Sequence, residues 1–265
     1  MDIINDKLCT KLTLKNPMLK ELKSFLNAPA KRIRPLLSVL YLKANQKELT
    51  QNHYKLLTAV ELIHNASLIH DDIIDNAETR RGHKTLNVIF NSKIAVVTGD
   101  YLLTAALDYI NEIKLPLIIK KFTCTLAEMC QGEFSQYFDT NKIPTLDDYI
   151  KKTKQKTAAL FMTALECSMI ISNSDSENAL NFAENFGIAF QIKDDLTNIL
   201  TTKSDIKNGI YTAPVILSGS VNNPAIEKTY SLLNNYICNA LKYLNSLKNS
   251  PYKTALHALG EIYGK

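Results

Sequence analysis

The sequence predicts an all-α protein, and three observations lead to that prediction. Glycine and proline number eight each among 265 residues, too few for a fold that needs many tight turns. The alternation of β-branched and polar residues that marks a half-buried strand is absent. Apolar residues instead recur at helical spacing between isolated breakers. With 46% hydrophobic residues, the chain can bury a full core as one domain, residues 1–265.

The breakers divide the chain into successive predicted helices. The first is an amphipathic helix over residues 1–27, interrupted at Pro17, whose leucines recur at roughly helical spacing: Leu8, Leu12, Leu19, Leu22 and Leu26. Later breakers are Gly82, Pro116, Pro144, the run 172–175, Asn208-Gly209 and Pro251. We therefore expect further helices over 31–44, 50–76, 92–111, 115–138, 145–171, 176–200, 212–218, 224–247 and 251–263.

Composition limits the classes of function. The net charge of +5 is a mild excess that suits small anionic ligands. No basic stripe with interleaved aromatic residues is present, so we expect no nucleic-acid partner. The five cysteines are scattered and lack zinc spacing, which favours reduced thiols in a cytoplasm. Since the sequence shows neither a signal-peptide layout nor an apolar run of about 18 residues, we expect a soluble protein with at most peripheral membrane contact.

Three carboxylates interrupt an apolar helical run in the segment DDIID. Asp71 and Asp75 lie four residues apart and share a face, with Asp72 to one side. Two carboxylates one turn apart repel each other, and a cation between them removes that penalty. Oxygen ligands on one short run suit Mg²⁺, which completes its shell with water and phosphate oxygens. Arg80 and Arg81 follow, a pair of cations suited to phosphate. The pattern predicts a site for a metal-bound diphosphate.

These residues resemble a known family. The segment DDIIDNAETRRG is similar to the first aspartate-rich motif of the trans-isoprenyl diphosphate (polyprenyl) synthases, in which DDxxD is followed by RRG after four intervening residues. The resemblance extends from about residue 28 to residue 215. It implies a helical bundle around a deep central cavity, the isoprenoid synthase type of fold.

The resemblance assigns four residues to isopentenyl diphosphate. The segment KRIRP is similar to the family's GGKxxRP motif, whose lysine and last arginine bind that diphosphate, although Ala28-Pro29-Ala30 replaces the glycines here. A histidine two turns before the aspartate motif and the second arginine of RRG complete the pocket. The four residues are Lys31, Arg34, His64 and Arg81. Arg80 is assigned to the allylic diphosphate.

Two later segments carry the remaining assignments. The segment KQKTAALF resembles the family's KT pair, in which the lysine holds the allylic diphosphate and the threonine faces the forming cation. The segment FQIKDDLTN is similar to the second aspartate-rich motif, FQxxDDxxD. The resemblance gives catalytic roles to Lys156, Thr157 and Gln191. It makes Asp194 a metal ligand beside Asp71 and Asp75, with Asp72, Asp195 and Asn198 behind the ligands.

The chain departs from the family pattern near the second motif. Asn198 stands where a third aspartate is expected. Further on, Ile210 replaces the lysine of the DLxxGKxT segment, and the intervening loop, 199–204, is shorter than in most relatives. We expect the lost acid and the lost base partly to compensate each other.

The resemblance implies a prenyltransferase that uses three Mg²⁺ ions. It condenses isopentenyl diphosphate with an allylic diphosphate, farnesyl or geranylgeranyl, and works as a homodimer. Two alternatives stay open. One is a catalytically weak partner subunit of a heteromeric synthase, motivated by Asn198 and Ile210. The other is a class I terpene cyclase, although its Asn/Ser/Glu metal triad is not found in this sequence.

Small residues before Asp71 predict a long product. At about 1.5 Å per residue, Ser67, Ile63 and Val60 lie roughly 6, 12 and 16 Å down the helix from Asp71. In similar enzymes, bulky aromatic residues at positions 66 and 67 would stop growth at about fifteen carbons, but this chain has Ala66 and Ser67. The segment AVELIHNASLIHDD also resembles long-chain bacterial synthases that make quinone side chains. We therefore expect about thirty to fifty carbons. The expected floor residues are Val60, Ile63, Phe122, Leu126 and Met129. The alternative is that Ala66 and Ser67 only let two helices pack closely.

Overall fold

A computed structural model of the chain describes residues 1–80, 82–219 and 223–264. In these residues the regular structure is helical apart from one short hairpin, which confirms the all-α prediction. The helices are α1 (Asp2–Leu8), α2 (Met18–Asn27), α3 (Ile33–Ala44), α4 (Gln51–Ile74), α5 (Leu86–Ile89), α6 (Ser92–Asn111), α7 (Pro116–Phe138), α8 (Leu146–Thr153), α9 (Ala159–Ile171), α10 (Glu177–Leu200), α11 (Ser204–Lys207), α12 (Ala213–Ile216), α13 (Asn223–Lys242) and α14 (Pro251–Gly264). A π-helical segment, Lys154–Ala158, joins α8 to α9 and is called the π-turn below. The hairpin strands are β1 (Thr79–Arg80) and β2 (His83–Lys84).

The described chain groups into two compact units. The first comprises Met1–Val39 and Leu49–Ile119, and the second comprises Leu40–Glu48 and Lys120–Lys265. In the first unit, α4 packs against α1, α5 and α6. In the second, α10 packs against α9, α13, α14 and the π-turn. That the two units form the single predicted domain stays a prediction.

Helix α4 is the buried centre of the first unit. Its start is fixed by Thr50, whose backbone N–H donates to His53 Nδ1 at 3.0 Å, because the first N–H groups of a helix need side-chain partners. Side chains on nearly every face of the helix are buried, including Leu57, Val60 and Leu62 at 0% exposure. The helix can therefore neither rotate nor slide, and it holds the residues of its last turn in fixed positions.

Aromatic side chains fix α10 in the second unit. Phe182 stacks on Tyr41 with ring centroids 5.7 Å apart, and Phe186 meets the edge of Tyr263 at 5.5 Å. Each such pair contributes about 0.5 to 1.5 kcal/mol beyond its buried area. Gly187 lets the helix approach the π-turn, since a Cβ there would lie 2.7 Å from the Cα of Ala158. The same helix carries the second aspartate-rich motif on its last turns.

The first predicted helix is interrupted more widely than expected. The expected helix over 1–27 is two helices, α1 and α2, with no helix from residue 9 to residue 17. Pro17 has no N–H to continue a helix and disfavours helical backbone at the residue before it, so the break spreads backwards. The described residues also contain one small hairpin, in which β1 pairs with β2 through a turn at Gly82, where φ is +79°. Two-residue strands are too short to show alternation.

The shorter elements were also missed. Helices α5 and α11, four residues each, fall in segments that were expected to be irregular. The helix predicted over 145–171 is continuous but contains the π-turn. None of the described helices is long and apolar enough to cross a membrane.

Candidate active site

The last turn of α4 presents two acidic side chains where the chain leaves the helix. Asp71 is half-buried, and Asp75 is exposed and ends the helix, with its backbone N–H donating to Asp71 O at 2.8 Å. The C-terminal end of a helix carries a partial negative charge, so two carboxylates there are unfavourable unless a cation joins them. The donor set, two carboxylates on one short run, fits a hard divalent ion such as Mg²⁺.

The hairpin that follows α4 folds back onto the acidic turn. Arg80 Nε donates to Asp72 Oδ1 at 2.7 Å, and Asp72 is only 2% exposed. Thr85 Oγ1 donates to Ala77 O at 2.7 Å and closes the base of the hairpin. Arg80 is therefore held beside the predicted metal ligands by a buried carboxylate. Arg81 lies outside the described residues.

The predicted isopentenyl diphosphate residues differ in burial. Lys31 is exposed, His64 is half-buried and Arg34 is only 7% exposed. Between Lys31 and Arg34, Arg32 forms an ion pair with Glu61, Nη1 to Oε2 at 3.0 Å, and donates to Leu26 O at 2.8 Å. Arg32 thus ties this loop to α4, a role that the motif alone did not indicate.

Four side chains of the second unit form one hydrogen-bonded chain. Thr157 Oγ1 donates to Gln191 Oε1 at 2.7 Å, and Gln191 Nε2 donates to Asp195 Oδ1 at 2.9 Å. Tyr149 donates its hydroxyl to Asp195 Oδ2 at 2.6 Å. Asp195 is 4% exposed, and burial raises the pKa of its carboxyl to about 6 against the opposing effect of these two donors. Asp194, one residue earlier, is exposed and accessible to a metal ion.

Asn198 is engaged by the loop that follows α10. Its Nδ2 donates to Ser204 Oγ at 2.7 Å and to Asp205 Oδ1 at 3.0 Å. Its Oδ1 accepts from the backbone N–H of Asp205 at 3.3 Å. An aspartate could not donate in this way, so the amide closes the shortened loop against the helix. Ile210, at the position of the family's lysine, is half-buried.

The π-turn places Lys156 against α7. Lys156 forms an ion pair with Glu133, and a Cβ added to the neighbouring Gly132 would lie 2.9 Å from the backbone N of Lys156. Gln155 Nε2 also donates to Gln131 Oε1 across the same contact, at 3.3 Å. π-Helical segments are rare and are found frequently at functional sites. Sequence reasoning missed Glu133 and Tyr149, because the spacing of residues within one helix gives no information about their partners on another helix.

The residues predicted to set product length differ in accessibility. Val60, Ala66 and Ile63 are 0%, 0% and 1% exposed, whereas Ser67 is half-buried and donates to His64 O at 2.8 Å. Of these four positions on α4, Ser67 is thus the one with a substantial exposed fraction. Among the candidates on α7, Phe122 is fully buried, and Leu126 and Met129 are half-buried.

The chain matches a family model described as Polyprenyl synthetase over residues 16–243. It belongs to the polyprenyl synthetase family. It is 36% identical over 226 residues to decaprenyl-diphosphate synthase of Dictyostelium discoideum, a match that covers 80% of this chain and 49% of that protein. It is 33% identical over 251 residues to heptaprenyl diphosphate synthase component 2 of Bacillus subtilis (strain 168), covering 93% and 70%. The chain therefore spans about half the length of the Dictyostelium relative.

Solved structures show the same fold for this polyprenyl synthetase family member. Heptaprenyl diphosphate synthase from Staphylococcus aureus superposes with a TM-score of 0.92 at 24% identity, over 99% of this chain and 96% of that one. A polyprenyl synthase from Caulobacter crescentus CB15, complexed with calcium and isoprenyl diphosphate, gives 0.89 at 23% identity, over 99% and 92%. These likenesses establish the all-α isoprenoid synthase fold.

Proposed function

We propose that this protein is a Mg²⁺-dependent prenyltransferase that joins isopentenyl diphosphate to farnesyl or geranylgeranyl diphosphate. The observation that carries the proposal is the matched construction of the two aspartate-rich motifs. Each lies near the C-terminal end of a long helix and has one accessible aspartate, Asp71 or Asp194, followed by a buried one, Asp72 or Asp195. Family membership supports the same reaction class. The product is an all-trans polyprenyl diphosphate of about thirty to fifty carbons, used as a quinone side chain, and the enzyme is cytoplasmic.

The metal ligands in this proposal are Asp71, Asp75 and Asp194, and the number of ions is three. Bound Mg²⁺ supplies positive charge to the diphosphate that leaves when the allylic C–O bond breaks. Lys156 and Arg80 add side-chain cations to that leaving group. Lys31, Arg34, His64 and Arg81 hold isopentenyl diphosphate so that its double bond points at the reacting carbon.

The electrons and the proton balance without a covalent protein intermediate. The C–O bonding pair departs with the diphosphate and leaves an allylic cation, which the oxygens of Thr157 and Gln191 stabilise. The double bond of isopentenyl diphosphate supplies the pair for the new C–C bond. The cation that results loses a proton to the departed diphosphate, and a product longer by five carbons forms.

An exposed apolar face supports a homodimer. On α6, Ile94, Val97 and Leu107 are 41%, 62% and 41% exposed. Soluble monomeric proteins rarely expose several large apolar side chains on one helix in this way. We propose that a second copy of the chain covers this face. A Val97→Lys variant should then be monomeric in sedimentation experiments at concentrations where the wild type is dimeric.

The exposed end of α7, with Phe134, Tyr137 and Phe138 at 64%, 71% and 68%, is where we place peripheral membrane contact during product release.

One assay tests the proposed reaction. Purified protein is incubated with Mg²⁺, radiolabelled isopentenyl diphosphate and farnesyl diphosphate, and the products are separated by chain length. Products that grow in steps of five carbons support the proposal, whereas a released hydrocarbon indicates a terpene cyclase. A matched reaction with EDTA should be inactive.

A second candidate function is that of a weak partner subunit. The missing acid at Asn198 and the missing base at Ile210 favour it, and one relative carries the name component 2. It predicts that the purified chain is inactive in the same assay and that activity returns when a second subunit is added.

A pair of variants tests the product length. Ser67→Phe fills the accessible position and should shorten the product to about fifteen or twenty carbons without loss of the first condensation. Ala66→Phe is the matched control, since Ala66 has no accessible surface and a larger side chain there costs about 1 to 3 kcal/mol of stability through overpacking. An unchanged product in Ser67→Phe, or a wild type that stops at fifteen carbons, contradicts the long-chain proposal.

A further inference from the structure

We infer that Tyr149 is a positioning residue for the reaction, acting through the buried carboxylate of Asp195 on Gln191 and Thr157. The inference rests on the proposed function, because it assumes that Thr157 and Gln191 face the allylic cation. It goes further by assigning a role to a residue on α8 that none of the sequence motifs includes. The observations that carry it are three hydrogen bonds and the burial of the residues that form them.

The three bonds converge on the carboxylate of Asp195, from Tyr149 on one side and from Thr157 through Gln191 on the other. Tyr149 donates to Asp195 Oδ2 at 2.6 Å, Gln191 Nε2 donates to Asp195 Oδ1 at 2.9 Å, and Thr157 donates to Gln191 Oε1 at 2.7 Å. Both oxygens of the carboxylate are therefore engaged by named donors. Since Asp195 is 4% exposed and Tyr149 is 1% exposed, water has little access to replace either partner.

This arrangement fixes which end of the Gln191 amide faces Thr157. An ionised carboxylate only accepts hydrogen bonds, so the Gln191 atom beside Asp195 must be the NH₂ group. The carbonyl oxygen Oε1 is then left facing Thr157, and the threonine hydroxyl has to donate to it. The orientation of the amide follows from the chemistry of its neighbours and needs no choice between two alternatives.

The consequence for Thr157 is that its proton is already used. The hydroxyl offers oxygen lone pairs, and not hydrogen, to any group on its other sides. Lone pairs attract a developing positive charge, whereas an O–H hydrogen repels it. A network that turned the Gln191 amide round would reverse the threonine hydroxyl and present its hydrogen instead.

Tyr149 is the fixed end of this chain. It is among the largest fully buried side chains of the protein, so packing holds its ring and leaves its hydroxyl one position. Without that hydroxyl, Asp195 can rotate about its side-chain bond, and its alignment with Gln191 Nε2 is lost. Tyr149 touches no substrate in this account, and it acts only by keeping the amide and the hydroxyl in one orientation.

The test is Tyr149→Phe, which removes a single oxygen atom. We expect kcat to fall about 10- to 100-fold, the range seen for small misplacements in an active site, while KM for both substrates stays within about twofold. Tyr109→Phe is the matched control. That tyrosine is also buried, at 4% exposure, and loses a hydroxyl bond of 2.9 Å to Lys7 O, but it should leave kcat within about twofold.

A double variant separates positioning from general damage. If Tyr149 acts through Thr157, adding Tyr149→Phe to a Thr157→Val background should lower kcat by less than about twofold more. A full additional loss in that background overturns the inference. So does a kcat in Tyr149→Phe within twofold of wild type, or a loss that falls on KM alone.

Two further measurements cover the remaining outcomes. If Tyr149→Phe does not fold, Asp195→Asn tests the same link, because the new amide still accepts from Tyr149 but turns the Gln191 amide round; an unchanged kcat then overturns the inference. If the wild type transfers no prenyl group, the proposed function fails by itself. Crystal structures of wild type and Tyr149→Phe then decide the positioning role: loss of the Thr157–Gln191 bond in the variant supports it, and an intact bond overturns it.

Discussion

The last turns of α4 and α10 are built alike, but they treat a buried aspartate differently. Both helices have 24 residues, and each carries a pair of adjacent aspartates near its C-terminal end. In each pair the second aspartate is buried, with Asp72 at 2% and Asp195 at 4% exposure. Asp72 accepts a bond from the guanidinium of Arg80, whereas Asp195 accepts bonds from the neutral groups of Tyr149 and Gln191.

This difference decides what each helix end contributes. A guanidinium neutralises the carboxylate that it binds, so the end of α4 buries an ion pair. Neutral donors only replace the water that the carboxylate lost, which leaves the charge in place and the pKa of Asp195 raised to about 6. The end of α10 therefore buries a negative charge, which suits a site where a cation forms.

The largest effect should come from the accessible acids at the two helix ends. Asp71→Ala, Asp75→Ala and Asp194→Ala should each lower kcat at least about 1,000-fold, because each removes a proposed metal ligand and would leave diphosphate charge unopposed. Thermal unfolding of the metal-free variants should stay close to wild type. Glu128→Ala, an exposed acid on α7, is the control. A metal-ligand variant that keeps a rate within tenfold of wild type would show that its assignment is wrong.

The next effect tests the ion pair that distinguishes α4. Arg80→Ala leaves Asp72 without its guanidinium, which should cost about 1 to 3 kcal/mol of unfolding free energy, since the pair is largely buried. The variant should also raise KM for the allylic primer more than KM for isopentenyl diphosphate. Arg81→Ala should do the reverse. Equal effects of both variants on both substrates would contradict the division of roles between the arginines.

A smaller effect tests why α10 carries Asn198. Asn198→Asp replaces a donor with a carboxylate beside Asp205, so we expect it to lower the unfolding free energy by about 1 to 2 kcal/mol and to change the Mg²⁺ dependence of activity. Adding Asp205→Asn exchanges donor and acceptor and should recover most of the stability. Chemical denaturation with and without Mg²⁺ measures both effects. If the double variant is no more stable than Asn198→Asp alone, the amide of Asn198 does not hold the loop after α10 in place.

The last effect concerns pH and the buried charge of Asp195. Its folded pKa of about 6 lies above the ordinary 3.8, so its contribution to stability is present below about 3.8 and is lost as pH rises through about 6. Lys152 and Asp205 act on the same carboxyl with opposite signs. Asp195→Asn should therefore gain stability relative to wild type as the pH rises from about 3.8 to about 6, and should keep a gain of about 1 to 3 kcal/mol above that range. If the melting temperatures of metal-free wild type and metal-free Asp195→Asn change equally with pH, this expectation is wrong.

The sequence predicted single helices better than it predicted contacts between them. The expected helix over 50–76 matches α4, Gln51–Ile74, because its apolar pattern is long and Thr50 marks its start. The helix over 1–27 is interrupted at Pro17 as expected, but leucine spacing did not show that the break extends back to residue 9. The motifs indicated Gln191 and Asp195, since both lie on one helix. Their partner Tyr149, and Glu133 beside Lys156, lie on other helices, and a pattern within one segment carries no information about them.

The π-turn has a consequence for the angular positions of residues on either side of it. In an uninterrupted α-helix, each residue advances about 100°, so Tyr149 and Thr157, eight residues apart, would point about 80° away from each other. In the π-turn, the N–H of Ala159 bonds to Lys154 O, five residues back, so the wider turn absorbs one extra residue. The two side chains are then separated by what amounts to two ordinary turns and lie within about 20° of one direction. The extra residue of the π-turn thus lets Tyr149 and Thr157 both face α10, where they bond to Asp195 and Gln191.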